Sequence, residues 1–355
     1  MFKKMIGGDF HFGEELICTD RIAQDFPKLL GKANFILTDT GRSALGLALS
    51  EIKEEYSMQT AWLPVFICQS VINTFLYYGF KINYYGMGNN LNNPKGLPDR
   101  IGNSVIFIIH YFGFENKPLI NYVERQKTLN DNFIVIDDLV QACLSGRFGQ
   151  MGDYSIHSLR KFLLVPDGGI LVSRKRISYK YEEPNDEFIS KKIFSKLLKQ
   201  FTDFDEVYLG LEKESEEIID NKIIPRKMST FTKLLLQRID ILDIQKKRIK
   251  NWNTFNKKLE DLKISGIKRI FNELNDGEVP LGFPIMVNNK RNEFRKYLSD
   301  NRIYCPVHWD LKNEATNKFK EDRQLSKRIL TIPIDQRVNR AGIDKIISTI
   351  SRFTF

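Results

Sequence analysis

The segment Tyr154–Ser173 reads YSIHSLRKFLLVPDGGILVS. It places one lysine, Lys161, between an apolar run typical of a strand and the tight turn Gly168–Gly169. A lysine amine held in such a position can form an imine with an aldehyde. The segment marks Lys161 as a candidate catalytic residue, although a lysine near a strand end is more often a solvated surface charge.

Other polar clusters also follow apolar runs directly. The pairs of run and cluster are Phe35–Leu37 with Thr38–Gly41, Val105–Ile109 with His110–Gly113, and Phe133–Ile136 with Asp137–Gln141. Each cluster is thereby predicted at the carboxyl end of a strand, which is the edge where open α/β sheets bind ligands. The turn at Gly41 is predicted to open a helix whose backbone N–H groups can hold a phosphate.

Predicted helices and strands alternate along the first half of the chain. Helices are expected at 43–55 and 69–78, strands at 60–64 and 81–85, and charged helical structure at 176–225. Such alternation argues for an α/β fold with a mostly parallel sheet. One long connecting helix is predicted over 229–262, and strands at 279–287, 303–306 and 329–333 with helices near 291–300 and 341–352 then predict a small α+β lobe.

Length and composition indicate a soluble globular protein. The chain has 355 residues and is 42% hydrophobic, no apolar stretch reaches the about 18 residues that span a bilayer, and the start lacks the apolar core of a secretory signal. We therefore expect a cytoplasmic protein. The net charge of +10 is concentrated between about 174 and 260 without a zinc-finger or RNP signature, so we expect an anionic small molecule and not nucleic acid.

The cysteines do not form a metal or disulfide pattern. Cys18, Cys68, Cys143 and Cys305 are scattered, which indicates reduced thiols. Cys305 and His308 are close together, but no second pair of ligands completes a site. We expect no metal.

A lysine, a carboxylate and a phosphate-binding turn at one sheet edge suit a single cofactor. The amine can hold an aldehyde, and a carboxylate facing a pyridine nitrogen keeps that nitrogen protonated, so that the ring accepts electrons. The helix start after Gly41 can hold a phosphate. Together these features indicate pyridoxal 5'-phosphate (PLP).

Motifs along nearly the whole chain follow the order and spacing of a known family. They are Ile6–Gly8, Thr40–Leu45, Leu63–Pro64, His110–Gly113, Ile136–Ala142, Gly152–Ser155, Lys161 with Asp167–Gly169, and Leu330–Ile334. On these motifs the chain resembles the DegT/StrS-type PLP-dependent sugar aminotransferases, which have the aspartate aminotransferase fold (fold type I). The resemblance implies a three-layer α/β/α PLP-binding large domain at 1–240 with an N-terminal arm, and a small C-terminal α+β domain at 241–355.

The resemblance implies a role for each matching residue. Lys161 is implied as the imine-forming base that moves a proton between cofactor and substrate, Asp138 as the partner of the pyridine nitrogen, and Gln141 as a neighbour of the ring. The implied phosphate ligands are Gly41, Arg42, Ser43 and Ser158, the last chosen over Ser155.

Neighbouring residues keep other interpretations open. Asp138 can instead cap the following segment, Asp137 is expected to cap a helix there, and His110 is expected to have a structural role. The aromatic that stacks on the ring in the family aligns with Cys68, with Phe66 as the alternative. His308 and Trp309 match a segment at the mouth of the active site, which implies substrate contact.

Two segments depart from the family pattern. The family's Asn-x-Arg-Met segment, which reaches the phosphate of the neighbouring subunit, corresponds to Pro225–Met228 here. The segment 176–225 is longer than usual, which is consistent with a different substrate.

The resemblance implies a homodimeric aminotransferase. It would move an amino group from an amino acid donor such as glutamate to a keto sugar on a nucleotide, for surface polysaccharide, lipopolysaccharide or related sugar biosynthesis. The alternatives are a sugar dehydratase of the same fold, whose members lack the lysine, and a scaffold or regulator of this fold without turnover.

Overall fold

The computed structural model describes residues 6–8, 10, 34–129, 132–146, 151–201, 205–221, 223–311 and 317–355. Cys18 and most of the expected N-terminal arm lie outside these residues.

A central mixed sheet lies at the core of the larger of two lobes. Within the described residues its seven strands are β2 (Asn34–Thr38), β3 (Thr60–Pro64), β4 (Lys81–Tyr85), β5 (Ser104–Ile109), β6 (Phe133–Asp138), β7 (Tyr154–Ser158) and β8 (Gly169–Ser173). Their spatial order is β2-β8-β7-β6-β5-β3-β4. The two pairs that include β8 are antiparallel, and the other four pairs are parallel. The predicted mostly parallel sheet is confirmed.

Helices alternate with these strands and continue beyond them. They are α1 (Gly41–Tyr56), α2 (Gln69–Tyr77), α3 (Lys117–Thr128), α4 (Asp186–Phe201), α5 (Asp205–Asn221), α6 (Thr230–Leu236), α7 (Ile241–Leu262), α8 (Arg291–Asp300), α9 (Lys320–Arg328) and α10 (Arg340–Ser351). The charged stretch 176–225 contains the helical hairpin α4–α5, whose two helices pack on each other.

The prediction of one long helix over 229–262 is wrong. The structure has α6 and α7, separated by residues 237–240. The side chain of Asp240 accepts a hydrogen bond from the N–H of Asp243 at 2.9 Å, and Ser229 caps α6 in the same way through Thr232 at 3.1 Å. In one continuous helix the N–H of Asp243 would bond to a backbone carbonyl of the preceding turn. Here it bonds to the Asp240 carboxylate instead, so a new helix begins at this point.

The small lobe contains an antiparallel sheet of order β12-β10-β9, built from β9 (Ile267–Arg269), β10 (Phe283–Val287) and β12 (Ile329–Ile332). The strand β1 (Ile6–Gly7) pairs in parallel with β11 (Ile303–Tyr304). The strand predicted at 279–287 begins only at Phe283, because the N–H of Leu281 is bonded to the carbonyl of Phe112 in the large lobe at 2.9 Å.

Aromatic side chains join the two lobes. The ring of Phe114, from the large lobe, stacks on Phe271 at 3.9 Å between centroids and contacts Trp252 of α7 at 6.0 Å. Trp252 and Phe283 belong to the same buried cluster as the central sheet. The hydrophobic core is therefore continuous across the lobes.

Candidate active site

The carboxyl ends of β5, β6 and β7 meet at one edge of the sheet. The register pairs Ile109 with Asp138 and Asp138 with Ile156. His110, Asp138 and the residues after Ile156 therefore come together, at the edge where the sequence predicts a ligand.

Asp138 is a buried carboxyl with one free oxygen. It is 5% exposed, and Oδ1 accepts a hydrogen bond from the N–H of Val140 at 2.9 Å. Within the described residues nothing hydrogen-bonds to Oδ2. Burial raises the pKa of Asp138 to about 7, although the Val140 bond and the charges of His110 and Lys161 oppose the shift. A cation or N–H donor placed at Oδ2 would favour the ionised form.

Lys161 ends a short turn of 3-10 helix, Leu159–Lys161, that follows β7. Its side chain is exposed and forms no hydrogen bond or ion pair within the described part of the chain. Its charge nevertheless acts on Asp138 and on His308. The lysine is therefore exposed, but it lies beside the buried groups of the sheet edge.

Gly168 and Gly169 let β8 start against the first turn of α1. A Cβ on Gly169 would lie 2.1 Å from the carbonyl oxygen of Thr40, and Gly168 has a φ of +123°. The preceding Asp167 is buried and accepts hydrogen bonds from the N–H and hydroxyl of Ser229, both at 2.7 Å. The Asp-Gly-Gly turn thus links the lysine segment, α1 and α6.

The first turn of α1 packs against the ends of β6 and β7. A Cβ on Gly41 would lie 3.3 Å from Val140 Cγ2 and 3.5 Å from Ser158 Cβ. Ser158 is 5% exposed, and its hydroxyl has no hydrogen-bond partner among the described residues. A helix start, a close-packed glycine and a free hydroxyl together form a candidate phosphate site.

Two expected phosphate ligands are already engaged elsewhere. The Ser43 hydroxyl donates to Asp39 Oδ1 at 2.5 Å. The Arg42 guanidinium donates to Glu216 at 2.9 Å and also to Asp220. The Arg42 guanidinium therefore forms ion pairs with α5. Its expected contact with a phosphate stays a prediction.

Gln141 holds the loop after β5. Its Oε1 accepts a hydrogen bond from the N–H of Phe112 at 2.8 Å, and Phe112 has a φ of +56°, which is uncommon for a residue with a side chain. Gln141 therefore stabilises the strained residue at this edge.

Asp137 does not cap a helix, because turns follow β6 in the described residues 139–146. Its Oδ2 accepts from the N–H of Gly152 at 2.8 Å, and its Oδ1 lies 3.4 Å from Nε2 of His110. Nδ1 of His110 accepts from the N–H of Asn116 at 3.3 Å. His110 is 1% exposed, and these contacts give it a structural role.

An aromatic cluster lies between the large lobe and the segment 308–309. Phe66 is fully buried, with its ring 5.4 Å from Trp309 and 5.8 Å from Tyr111. Cys68 is partly exposed at the start of α2, and its Sγ lies 3.1 Å from the Ser70 hydroxyl. The two candidates for stacking on a ring thus differ, since Phe66 already packs on Trp309 whereas Cys68 faces the helix start.

His308 belongs to the same cluster. Its Nδ1 lies 3.0 Å from the hydroxyl of Thr331, and its ring meets that of Phe112 edge-on at 5.4 Å. Burial, aided by the charge of Lys161, lowers the pKa of His308 to about 3. The imidazole is therefore neutral at pH 7, and the ring nitrogen opposite the Thr331 contact can donate or accept one hydrogen bond.

Three charged residues at this site were not among the predicted site residues. Asp39 lies buried beneath the first turn of α1, and burial raises its pKa to about 6. Arg160 and Glu216 pair beside Lys161 at 2.7 Å. Only the motif TDTG pointed to Asp39, and no local pattern pairs Arg160 with a residue on α5.

The described residues contain neither a cluster of metal ligands nor a membrane-spanning helix. No group of three or more side chains there is arranged to hold a metal ion. None of the helices described is both long and apolar enough to cross a bilayer.

No family model and no curated protein sequence matches the chain. Solved structures match it along its length. Spr1654 from Streptococcus pneumoniae, in its PLP form, is 12% identical, with 98% of each chain covered and a TM-score of 0.66. The sugar aminotransferase CalS13 from Micromonospora echinospora is 14% identical, with 98% of this chain and 99% of that chain covered and a TM-score of 0.63.

A DegT DnrJ EryC1 StrS aminotransferase from Brucella abortus is 15% identical, with 96% of this chain and 90% of that chain covered and a TM-score of 0.58. The chain has the fold of these proteins. The expected three-layer α/β fold of type I, with its mostly parallel sheet, is confirmed. At identities of 12–15% the likeness establishes the fold alone.

Proposed function

We propose that the protein is a PLP-dependent aminotransferase that acts on a sugar. One observation carries the proposal: in a fold shared with sugar aminotransferases, Lys161, Asp138 and Ser158 converge on one sheet edge, and each has a polar atom without a partner in the described part of the chain. Residues 1–240 would form the cofactor-binding domain and 241–355 the small domain.

The residues of this edge fit the chemical groups of PLP. The free oxygen of Asp138 suits a protonated ring nitrogen, and the hydroxyl of Ser158 with the N–H groups of Gly41 and Arg42 suits a phosphate. The unpaired amine of Lys161 suits an aldehyde. When bound, PLP supplies an electron sink for the carbon that loses a proton.

The chain's residues would then have distinct tasks. Asp138 holds the proton at the ring nitrogen, because an adjacent cation favours its ionised form. Lys161 removes the proton from the amino acid carbon and returns a proton when the amino group is transferred. Gln141 would keep the loop at Phe112 in place, and Phe66 or Cys68 would stack on the ring.

The substrates would be an amino acid donor such as glutamate and a keto sugar carried on a nucleotide. His308 and Trp309 line the small-lobe side, where a neutral imidazole can bind a sugar hydroxyl. The net charge of +10 favours anionic substrates of this kind. A cytoplasmic homodimer serving polysaccharide or related sugar biosynthesis completes the proposal.

A covalent-labelling experiment tests the proposal. The protein is loaded with PLP, reduced with borohydride and digested, and the modified peptide is identified by mass spectrometry. The label is expected on Lys161, absent in Lys161→Ala and retained in a control variant, Lys180→Ala, at an exposed lysine. A label that persists in Lys161→Ala refutes the assignment of the lysine.

Turnover is tested separately. Glutamate added to the PLP-loaded protein should bleach its absorbance and produce the amine form of the cofactor. A keto sugar nucleotide should then restore the original spectrum and yield an amino sugar. Binding of PLP without a response to any amino donor would instead indicate a scaffold.

A further inference from the structure

The carboxylate of Glu216, on α5, binds three cations. Oε1 accepts from Arg160 Nη1 at 2.7 Å and from Lys192 Nζ at 2.6 Å, and Oε2 accepts from Arg42 Nη2 at 2.9 Å. Arg42 follows Gly41 of the phosphate turn, and Arg160 directly precedes Lys161. One side chain of the hairpin thus connects the two segments that carry the proposed cofactor ligands.

The cations that Glu216 binds are largely buried, although the side chain of Glu216 is itself 37% exposed. The side chains of Arg42 and Arg160 are each 17% exposed, and that of Lys192 is 2% exposed. Burial opposes the charge of Glu216, but the attraction of Arg160 and Lys192 holds the pKa of its carboxyl far below the usual value. Charge-assisted hydrogen bonds between partly buried groups are about twice as strong as neutral ones.

We infer that Glu216 is a positioning residue that sets the distance between the phosphate turn and the lysine. The inference rests on the proposed function, because PLP would be held at its phosphate by the first turn of α1 and at its aldehyde by Lys161. A ligand held at both ends binds well only if the two anchoring segments are correctly spaced. Glu216 touches neither end of the ligand and would act through Arg42 and Arg160.

Comparison of two ligands separates this role from a general effect on stability. Pyridoxal has the aldehyde and ring of PLP but no phosphate, so its binding needs Lys161 and not the spacing to α1. Glu216→Gln should weaken PLP binding about tenfold, the effect expected from loss of a charged hydrogen-bond partner, and leave pyridoxal binding unchanged. Binding of each is followed by absorbance titration of the full-length protein.

A neighbouring glutamate provides the matched control. Glu217 is 57% exposed and pairs with Lys213 at 3.8 Å along the same helix, so Glu217→Gln should bind both ligands as the wild type does. Glu216→Asp keeps the charge on a shorter side chain and should recover part of the PLP affinity. It also serves as the test variant if Glu216→Gln does not fold, as judged by its far-ultraviolet circular dichroism.

Each outcome decides a different question. Unchanged PLP affinity in Glu216→Gln, or an equal loss of PLP and pyridoxal affinity, overturns the positioning role. Failure of the wild-type protein to bind either ligand overturns the proposed function instead.

Discussion

Replacing Asp138 with asparagine should stabilise the cofactor-free protein while impairing cofactor binding. Asparagine has nearly the same shape and keeps an oxygen that can accept the hydrogen bond from Val140 N–H, which is 2.9 Å from Oδ1 in the wild type. It removes the charge and replaces Oδ2 with an amide NH2. Because the cost of burial outweighs the attraction of His110 and Lys161, that charge destabilises the fold until a further cationic group lies beside it.

The magnitude and the sign follow from the pKa. Burial raises the pKa of Asp138 from 3.8 to about 7, and about 1.4 kcal/mol corresponds to each unit, so the ionised side chain costs up to about 4 kcal/mol. Between these two values the folded state holds a proton that the unfolded chain has lost, and stability therefore falls as the pH rises through this window. Above pH 7 the full cost is present, and below pH 4 none of it remains.

Urea unfolding of wild type and Asp138→Asn at several pH values tests this reasoning. We expect the variant to be more stable by about 2–4 kcal/mol at pH 8, with the difference vanishing near pH 4. Asp39, whose pKa is raised to about 6, contributes the same slope to both proteins, so only the difference between them reports on Asp138. A difference that does not change with pH refutes the argument.

The adjacent aspartate is the matched control. Asp137 lies on the same strand, but its two oxygens contact Gly152 N–H at 2.8 Å and His110 at 3.4 Å. Asp137→Asn should therefore destabilise the protein at pH 8. Added PLP should stabilise the wild type more than Asp138→Asn, because a ligand that binds more tightly stabilises the folded state more.

Three further substitutions test the site and its supports. Ser158→Ala removes the free hydroxyl and should weaken PLP binding about tenfold with no change for pyridoxal, and an equal loss for both would exclude a phosphate contact. Arg248→Met removes a buried guanidinium that donates to two carbonyl oxygens and a glutamine. Urea unfolding should show a free energy of unfolding lower by about 2–4 kcal/mol, and a smaller decrease would show that these hydrogen bonds do not stabilise the fold. Gly169→Ala places a methyl group 2.1 Å from the Thr40 carbonyl and should lower the thermal midpoint, whereas Gly146→Ala, with nothing within 4 Å, should not.

Local patterns in the sequence predicted most of the elements. The strands expected at 60–64 and 81–85 and the helix expected at 291–300 have those bounds in the structure. Each of these segments has a strong hydrophobic period and clear turn residues at its ends. Lys161 and Asp138 were also predicted at one edge of the sheet, because each follows a predicted strand and parallel strands align their carboxyl ends.

Features that depend on contacts between distant segments were not predicted. The ion pairs of Arg42 with Glu216 and Asp220 form because α5 folds back over the start of α1, and no pattern near Arg42 indicates this. The expected cap at Asp137 failed for a related reason, since its partners Gly152 and His110 lie on other segments. The break before α7 was readable in principle, because Asp240 precedes Asp243 by the spacing of a capping residue.

The stacking of Phe114 on Phe271 affects how the protein is made. During translation the large lobe leaves the ribosome first, and Phe114 then lacks the ring that covers it until the chain has been extended beyond residue 271. Such uncovered aromatic surface is prone to aggregation. Expression of residues 1–240 alone should thus yield a protein that is insoluble or bound by chaperones. Co-expression of residues 241–355 should restore part of the solubility of that fragment.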